Sequence, residues 1–100
     1  MTKMLVFDMD GTIADLYGVE NWLEDLQAEK TDPYENAVPL YNTVELNNTL
    51  AELKTKGWRI AITSWLSMNG SPEYNKAVTK VKKDWLQKYK FPYDEIHCVK

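Results

Sequence analysis

The run Val6-Phe7-Asp8-Met9-Asp10-Gly11-Thr12 constrains this chain more than any other segment. Met4 to Phe7 is a short apolar stretch that stops at a Gly-containing turn, the pattern of a fully covered β-strand. Asp8 and Asp10 then fall at the carboxyl end of that strand, where open α/β sheets hold their ligands. Alternate residues of an extended chain point the same way, so the two carboxylates converge if the strand runs on. A turn beginning at Gly11 would instead bend Asp10 away to act separately. The sequence puts no basic residue beside either acid. Two other readings of Asp-x-Asp-Gly are a plain turn, which Asp and Gly favour for local reasons, and a calcium loop. The latter needs a Glu near its twelfth position. Counted from Asp8 that position is Val19, with Glu20 one further, and Ile13 and Leu16 interrupt the loop.

Asp8-Met9-Asp10-Gly11-Thr12-Ile13, with its apolar lead-in, resembles the first signature of the haloacid dehalogenase (HAD) superfamily in its phosphatase-type members. The resemblance implies a HAD-like, Rossmannoid α/β fold: a parallel sheet with flanking helices. It implies that Asp8 is the nucleophile that forms an aspartyl-phosphate. Asp10 would protonate the leaving group and then activate water. Magnesium would lie between Asp8, the backbone carbonyl at Asp10 and a later acidic residue. A carboxylate nucleophile splits phosphoryl transfer into two easier steps, and a metal offsets the repulsion between the anions.

One hundred residues make one small domain, 1–100, with a thin core. The chain is 44% apolar and 27% charged, as ordinary globular proteins are. A net charge of −3 and the lack of a Lys/Arg stripe argue against nucleic-acid binding. Lys80, Lys82 and Lys83 read as a solvated helix face. The single Cys98 excludes an intramolecular disulfide and fits a reducing compartment. No stretch is apolar enough to span a bilayer, and the N-terminus leads into a strand without a signal-peptide pattern. The expected location is the cytoplasm, with no membrane partner.

The pattern beyond the first motif alternates. Val19, Trp22, Leu23 and Leu26 predict an amphipathic helix over 18–28, and Glu29 to Asn42, broken by Pro33 and Pro39, predicts a loop. Residues 18–42 thus form a small insertion where the family places its first cap. A second helix is expected from Thr43, as N-cap, to Lys56, stopped by Gly57, with Val44, Leu46, Leu50 and Leu53 inward. Trp58 to Thr63 reads as the second strand. Ser71 or Asn69 caps a third helix over Pro72 to Tyr89, with Ala77, Val78, Val81, Trp85 and Leu86 as its apolar stripe. Tyr93 to Val99 reads as the third strand. This order predicts a parallel sheet covered by helices.

The second strand ends in Ile62-Thr63-Ser64-Trp65. The resemblance implies a hydroxyl there that holds a phosphate oxygen, supplied by Thr63 with Ser64 in reserve; Gly11 joins them as a phosphate-binding position. Trp65 either roofs the core or stacks on a base or sugar, while Trp22, Trp58 and Trp85 read as core by phase. Asp15 and Tyr17 are placed to line the entrance, and His97 reads as partly buried.

Two further signatures of the family find no match. One is a lysine after the third strand, where only Lys100 stands, at a chain end that holds a charge poorly. The other is an acidic pair ending a fourth strand; Asp94 and Glu95 lie at the start of the third strand instead. A three-strand core leaves an unpaired sheet edge. A longer parent chain, a homodimer covering that edge, or a reduced relative without turnover would each account for it. Asp-Met-Asp-Gly-Thr followed by Ala-Asp and a later Thr-Ser is similar to the deoxyribonucleotidase-like members. The expected activity is therefore magnesium-dependent hydrolysis of a small phosphomonoester, such as a nucleoside monophosphate. The alternative is a catalytically inactive binding or interaction module on the same fold, or a fragment of a phosphatase.

Overall fold

In the computed structural model, which describes residues 3–100, three strands pair in parallel in the order β1-β2-β3. They are β1 (Lys3–Asp8), β2 (Trp58–Trp65) and β3 (Glu95–Val99). Four helices interleave with them: α1 (Trp22–Gln27), α2 (Asp32–Asn36), α3 (Thr43–Thr55) and α4 (Pro72–Lys88). The result is an α/β fold with a three-strand parallel sheet, compatible with a Rossmann-like core.

Local chemistry sets most boundaries. Ser71 caps α4 as expected, its Oγ accepting from Tyr74 N at 3.1 Å, and Pro72 takes the first turn. The cap of α3 is Asn42, not Thr43: Asn42 Oδ1 accepts from Glu45 N at 3.0 Å, and Thr43 opens the helix itself. The expected helix over 18–28 is shorter and split. Leu16–Gly18 forms a 3-10 turn, and Asn21 at φ 60° breaks the chain before α1. The stretch read as a loop contains α2, which Pro33 helps to start.

Successive crossovers place α3 and α4 on one face of the sheet. There Leu50 of α3 and Trp85 and Leu86 of α4 pack on Ile60 and Ile62 of β2, with Phe91 closing the cluster. Phe7 reaches the same cluster, its ring edge-on to Phe91 at 5.6 Å. Asn47 Nδ2 donates to Tyr89 O at 2.7 Å and ties α3 to the end of α4. Val44 and Ala77, expected inward, are exposed at the margins of their helices.

The other face is largely exposed among the described residues, with Ala61 its buried exception. It alternates Met4, Val6 and Asp8 with Arg59, Ala61, Thr63 and Trp65, then Glu95, His97 and Val99, by the pleat and the register Asp8↔Thr63↔His97. Three expectations change for this reason. β1 is covered on one side only, with Val6 60% exposed. Trp65 is 63% exposed and does not roof the core. His97 is exposed, its Nε2 3.1 Å from Glu95 Oε1.

Asp94 fastens the start of β3. Its Oδ2 accepts from Ile60 N at 2.7 Å, its own N–H donates to Ile60 O at 2.8 Å, and Lys54 Nζ lies 3.0 Å from Oδ1. The Ile60 amide and the Lys54 ammonium hold its carboxyl below the ordinary carboxylate value. The unfolded chain therefore binds this proton more readily, so the stabilisation is complete above the ordinary value and is lost as pH falls through the folded one. Asp94→Asn is expected to cost about 1 kcal/mol at neutral pH. Thermal melts of both proteins from about pH 6 to about pH 2 should converge at the acid end.

Candidate functional site

The motif residues separate at the end of β1. The strand stops at Asp8, and the Met9 carbonyl accepts from the amides of Ile13 (2.9 Å) and Ala14 (3.0 Å), folding the chain back on itself. Gly11 sits at φ 80°, in the left-handed region, and its amide donates to Ala14 O at 2.8 Å. A Cβ at that position would meet Tyr17 Cε2 at 2.8 Å. Gly11→Ala is expected to lower stability by about 2 kcal/mol through backbone strain and this collision, read as a shifted urea midpoint at unchanged slope. The turn sends Asp10 away from the strand line, so the second of the two geometries open to the sequence is the one adopted.

Asp8 is exposed at the strand end, level with Thr63. Asp10 instead joins Ser64 and Lys82. Lys82 Nζ lies 3.1 Å from Asp10 Oδ2, 2.5 Å from Ser64 Oγ and 2.9 Å from the Trp65 carbonyl oxygen. Ser64 Oγ in turn donates to Asp10 Oδ2 at 3.3 Å. Ser64, held in reserve by the sequence, is thus the hydroxyl that meets Asp10, while Thr63 faces the largely exposed side of the sheet.

Lys82 overturns the solvated-face reading of Lys80, Lys82 and Lys83. Its side chain is 0% exposed whereas that of Lys80 is 79% exposed. The cause is helical phase: Val78, Lys82, Trp85 and Leu86 follow i, i+4, i+7, i+8 and share one face. A single cation inside an apolar stripe was the signal available in the sequence. A buried ammonium needs a partner, and Asp10, which has no basic neighbour in sequence, is the one it finds in space.

Tyr34 of α2 completes the enclosure, its ring centroid 4.8 Å from Lys82 Nζ. Burial pushes the Tyr34 phenol well above its usual range, and the Asp10 charge adds to the effect. Asp10 Oδ1 is buried and has no hydrogen-bond partner. One oxygen of this carboxylate is therefore anchored, and the other is left without a partner.

A cleft of about 490 Å³ opens beside Asp10, at the carboxyl ends of the strands. Tyr17, Trp22, Trp65 and Tyr74 line it together with polar Gln27 and Asn69. Trp22, expected in the core, stands edge-on to Tyr17 at 4.9 Å in this wall. Tyr17 thus takes the place expected of it, whereas Asp15 caps the 3-10 turn by accepting from Gly18 N at 3.0 Å.

The segment 18–42, which forms the outer wall, is fastened to α4 on both sides. Glu29 accepts from Ser71 N (3.0 Å) and Ser71 Oγ (2.8 Å). Tyr74 Oη donates to Lys30 O at 2.9 Å, and Trp85 Nε1 donates to Ala37 O at 2.7 Å.

Among the described residues no group of three or more His, Cys, Asp or Glu side chains forms a metal cluster. Asp8 and Asp10 offer an oxygen-only donor set, which is the chemistry magnesium takes when water fills its remaining positions.

Fold and cluster together define an α/β protein with a three-strand parallel sheet compatible with a Rossmann-like core and a cleft at its carboxyl edge. No protein-family model and no curated protein matches the chain. No helix among the described residues is long and apolar enough to cross a membrane.

Proposed function

We propose that the chain is a phosphomonoester hydrolase of the HAD type, with Asp8 as nucleophile and Asp10 as acid and base. The observation that carries this reading is the Asp10 carboxylate, anchored through Oδ2 by a buried lysine and serine while Oδ1 stays unpartnered beside the cleft. A carboxylate of the Asp8 side chain attacks phosphorus as the ester oxygen departs with a proton from Asp10. Asp10 then takes a proton from water, whose oxygen attacks phosphorus and frees Asp8 and inorganic phosphate. Acid–base help of this kind contributes about 10²–10⁴-fold. Thr63, level with Asp8 in the register, would supply a hydroxyl beside the developing phosphoryl charge, while Lys82 and Ser64 hold Asp10. Gly11 supports the turn that aims Asp10.

Asp8 and the main-chain carbonyl of Asp10 would hold magnesium, which when bound offsets repulsion between the carboxylates and the phosphate. The aromatic cleft walls favour a flat leaving group, consistent with a nucleoside monophosphate.

The test is hydrolysis of an aryl phosphate by the purified chain with and without magnesium. Magnesium-dependent release of phosphate is expected, and its absence from a folded sample defeats the proposal. A second reading, a binding module without turnover, draws support from Lys82, which has no proton left over for a phosphoryl group. An ammonium has three protons, and all three go to internal acceptors. Binding of a phosphomonoester without hydrolysis would favour it.

A further inference from the structure

Lys82 has four neighbours, of which three come from the sheet end and one from the segment 18–42. Asp10, Ser64 and the Trp65 carbonyl accept its protons, and the Tyr34 ring closes the remaining side. A desolvated ammonium over an aromatic face is held by the ring quadrupole. The chain on either side of Tyr34 is fixed independently. Glu29 and Lys30 are bound to Ser71 and Tyr74, and Ala37 is bound to Trp85. All three partners lie on α4 or at its cap, the same helix that carries Lys82. The backbone that carries the ring is therefore tied to α4 on both flanks.

We propose that Tyr34 is a positioning residue: its ring keeps Lys82 turned onto Asp10 and Ser64, so the segment 18–42 sets the proton-transfer geometry of the site. This rests on the phosphatase reading for its kinetic consequence, though not for its structural one. It is the ring that acts, not the hydroxyl.

Two measurements separate the possibilities. The first is acetylation of lysines by acetic anhydride, read by mass spectrometry, with exposed Lys80 as internal standard. Lys82 is expected to react at least about tenfold more slowly than Lys80 in the native chain and in Tyr34→Phe, and to lose that protection in Tyr34→Leu. The second is aryl phosphate hydrolysis. Tyr34→Leu should lower kcat on the order of ten- to thirtyfold at similar KM, with Tyr34→Phe restoring it. Tyr34→Met carries both measurements if Tyr34→Leu fails to fold. An unchanged acetylation rate at Lys82 in a folded Leu or Met variant overturns the inference. So does a raised KM at unchanged kcat, which would make Tyr34 a cleft wall only. If the native chain hydrolyses no phosphomonoester, the phosphatase reading fails by itself, and the acetylation result alone decides the role of Tyr34.

Discussion

Asp8→Asn is expected to remove magnesium-dependent hydrolysis of an aryl phosphate, by a factor on the order of 10³ or more, while the thermal midpoint stays where it was. An amide has no charge to attack phosphorus with, so the covalent route closes. Asn is isosteric with Asp, and the side chain it replaces is exposed at the end of β1, so the fold loses no buried contact. The turn after the strand is made by the backbone of Met9, Gly11, Ile13 and Ala14 and does not involve the Asp8 side chain. Phosphate release and thermal unfolding measured on the same preparation check both halves. Retained turnover in the variant would remove Asp8 from the chemistry.

Lys82→Met should act in the opposite sense, with its first effect on stability. Methionine follows the lysine stem into the same space between Val78 and Trp85. It leaves the Asp10 carboxylate with Ser64 as its remaining partner and strips Ser64 Oγ and the Trp65 carbonyl of a donor. Breaking a buried pair from one side costs about 3 kcal/mol, a fall of roughly 15 °C in a domain of this size. Asp10→Asn in the same background removes the stranded charge and should recover part of the loss. A double-mutant cycle by urea denaturation measures that coupling. Additive losses would mean that the 3.1 Å contact between Lys82 and Asp10 contributes nothing of its own.

Those two residues also mark how far the sequence could be read. Asp8, Asp10 and the strand before them are local signals, and β1, β2 and the Ser71 cap depend on neighbours a few residues away. Lys82 does not: its partners lie 72, 18 and 17 positions distant in the chain. Its place in the apolar stripe was visible, but a run of three lysines reads as a wet face until the fold supplies an acid. The choice between Thr63 and Ser64 had the same origin. Both carry hydroxyls at a strand end, and only the side on which α4 packs separates them. Trp65, His97 and the outer half of β1 were misread for one shared reason. Apolar and aromatic residues at strand phase imply cover on both faces, whereas α3 and α4 lie on one. Residues 18–42 read as one helix and a loop, whereas two short helices form there, and the ties of this segment to α4 join side chains to residues some forty positions away.

Those ties have a kinetic consequence. With Glu29 clasped by Ser71, and Lys30 and Ala37 bound to Tyr74 and Trp85, the wall of the cleft and α4 form one frame without a hinge between them. A swinging lid gates many catalytic cycles through its opening rate. Here ligand would enter and leave by diffusion through a mouth of fixed width, and viscosity, not loop motion, would set the pace of exchange.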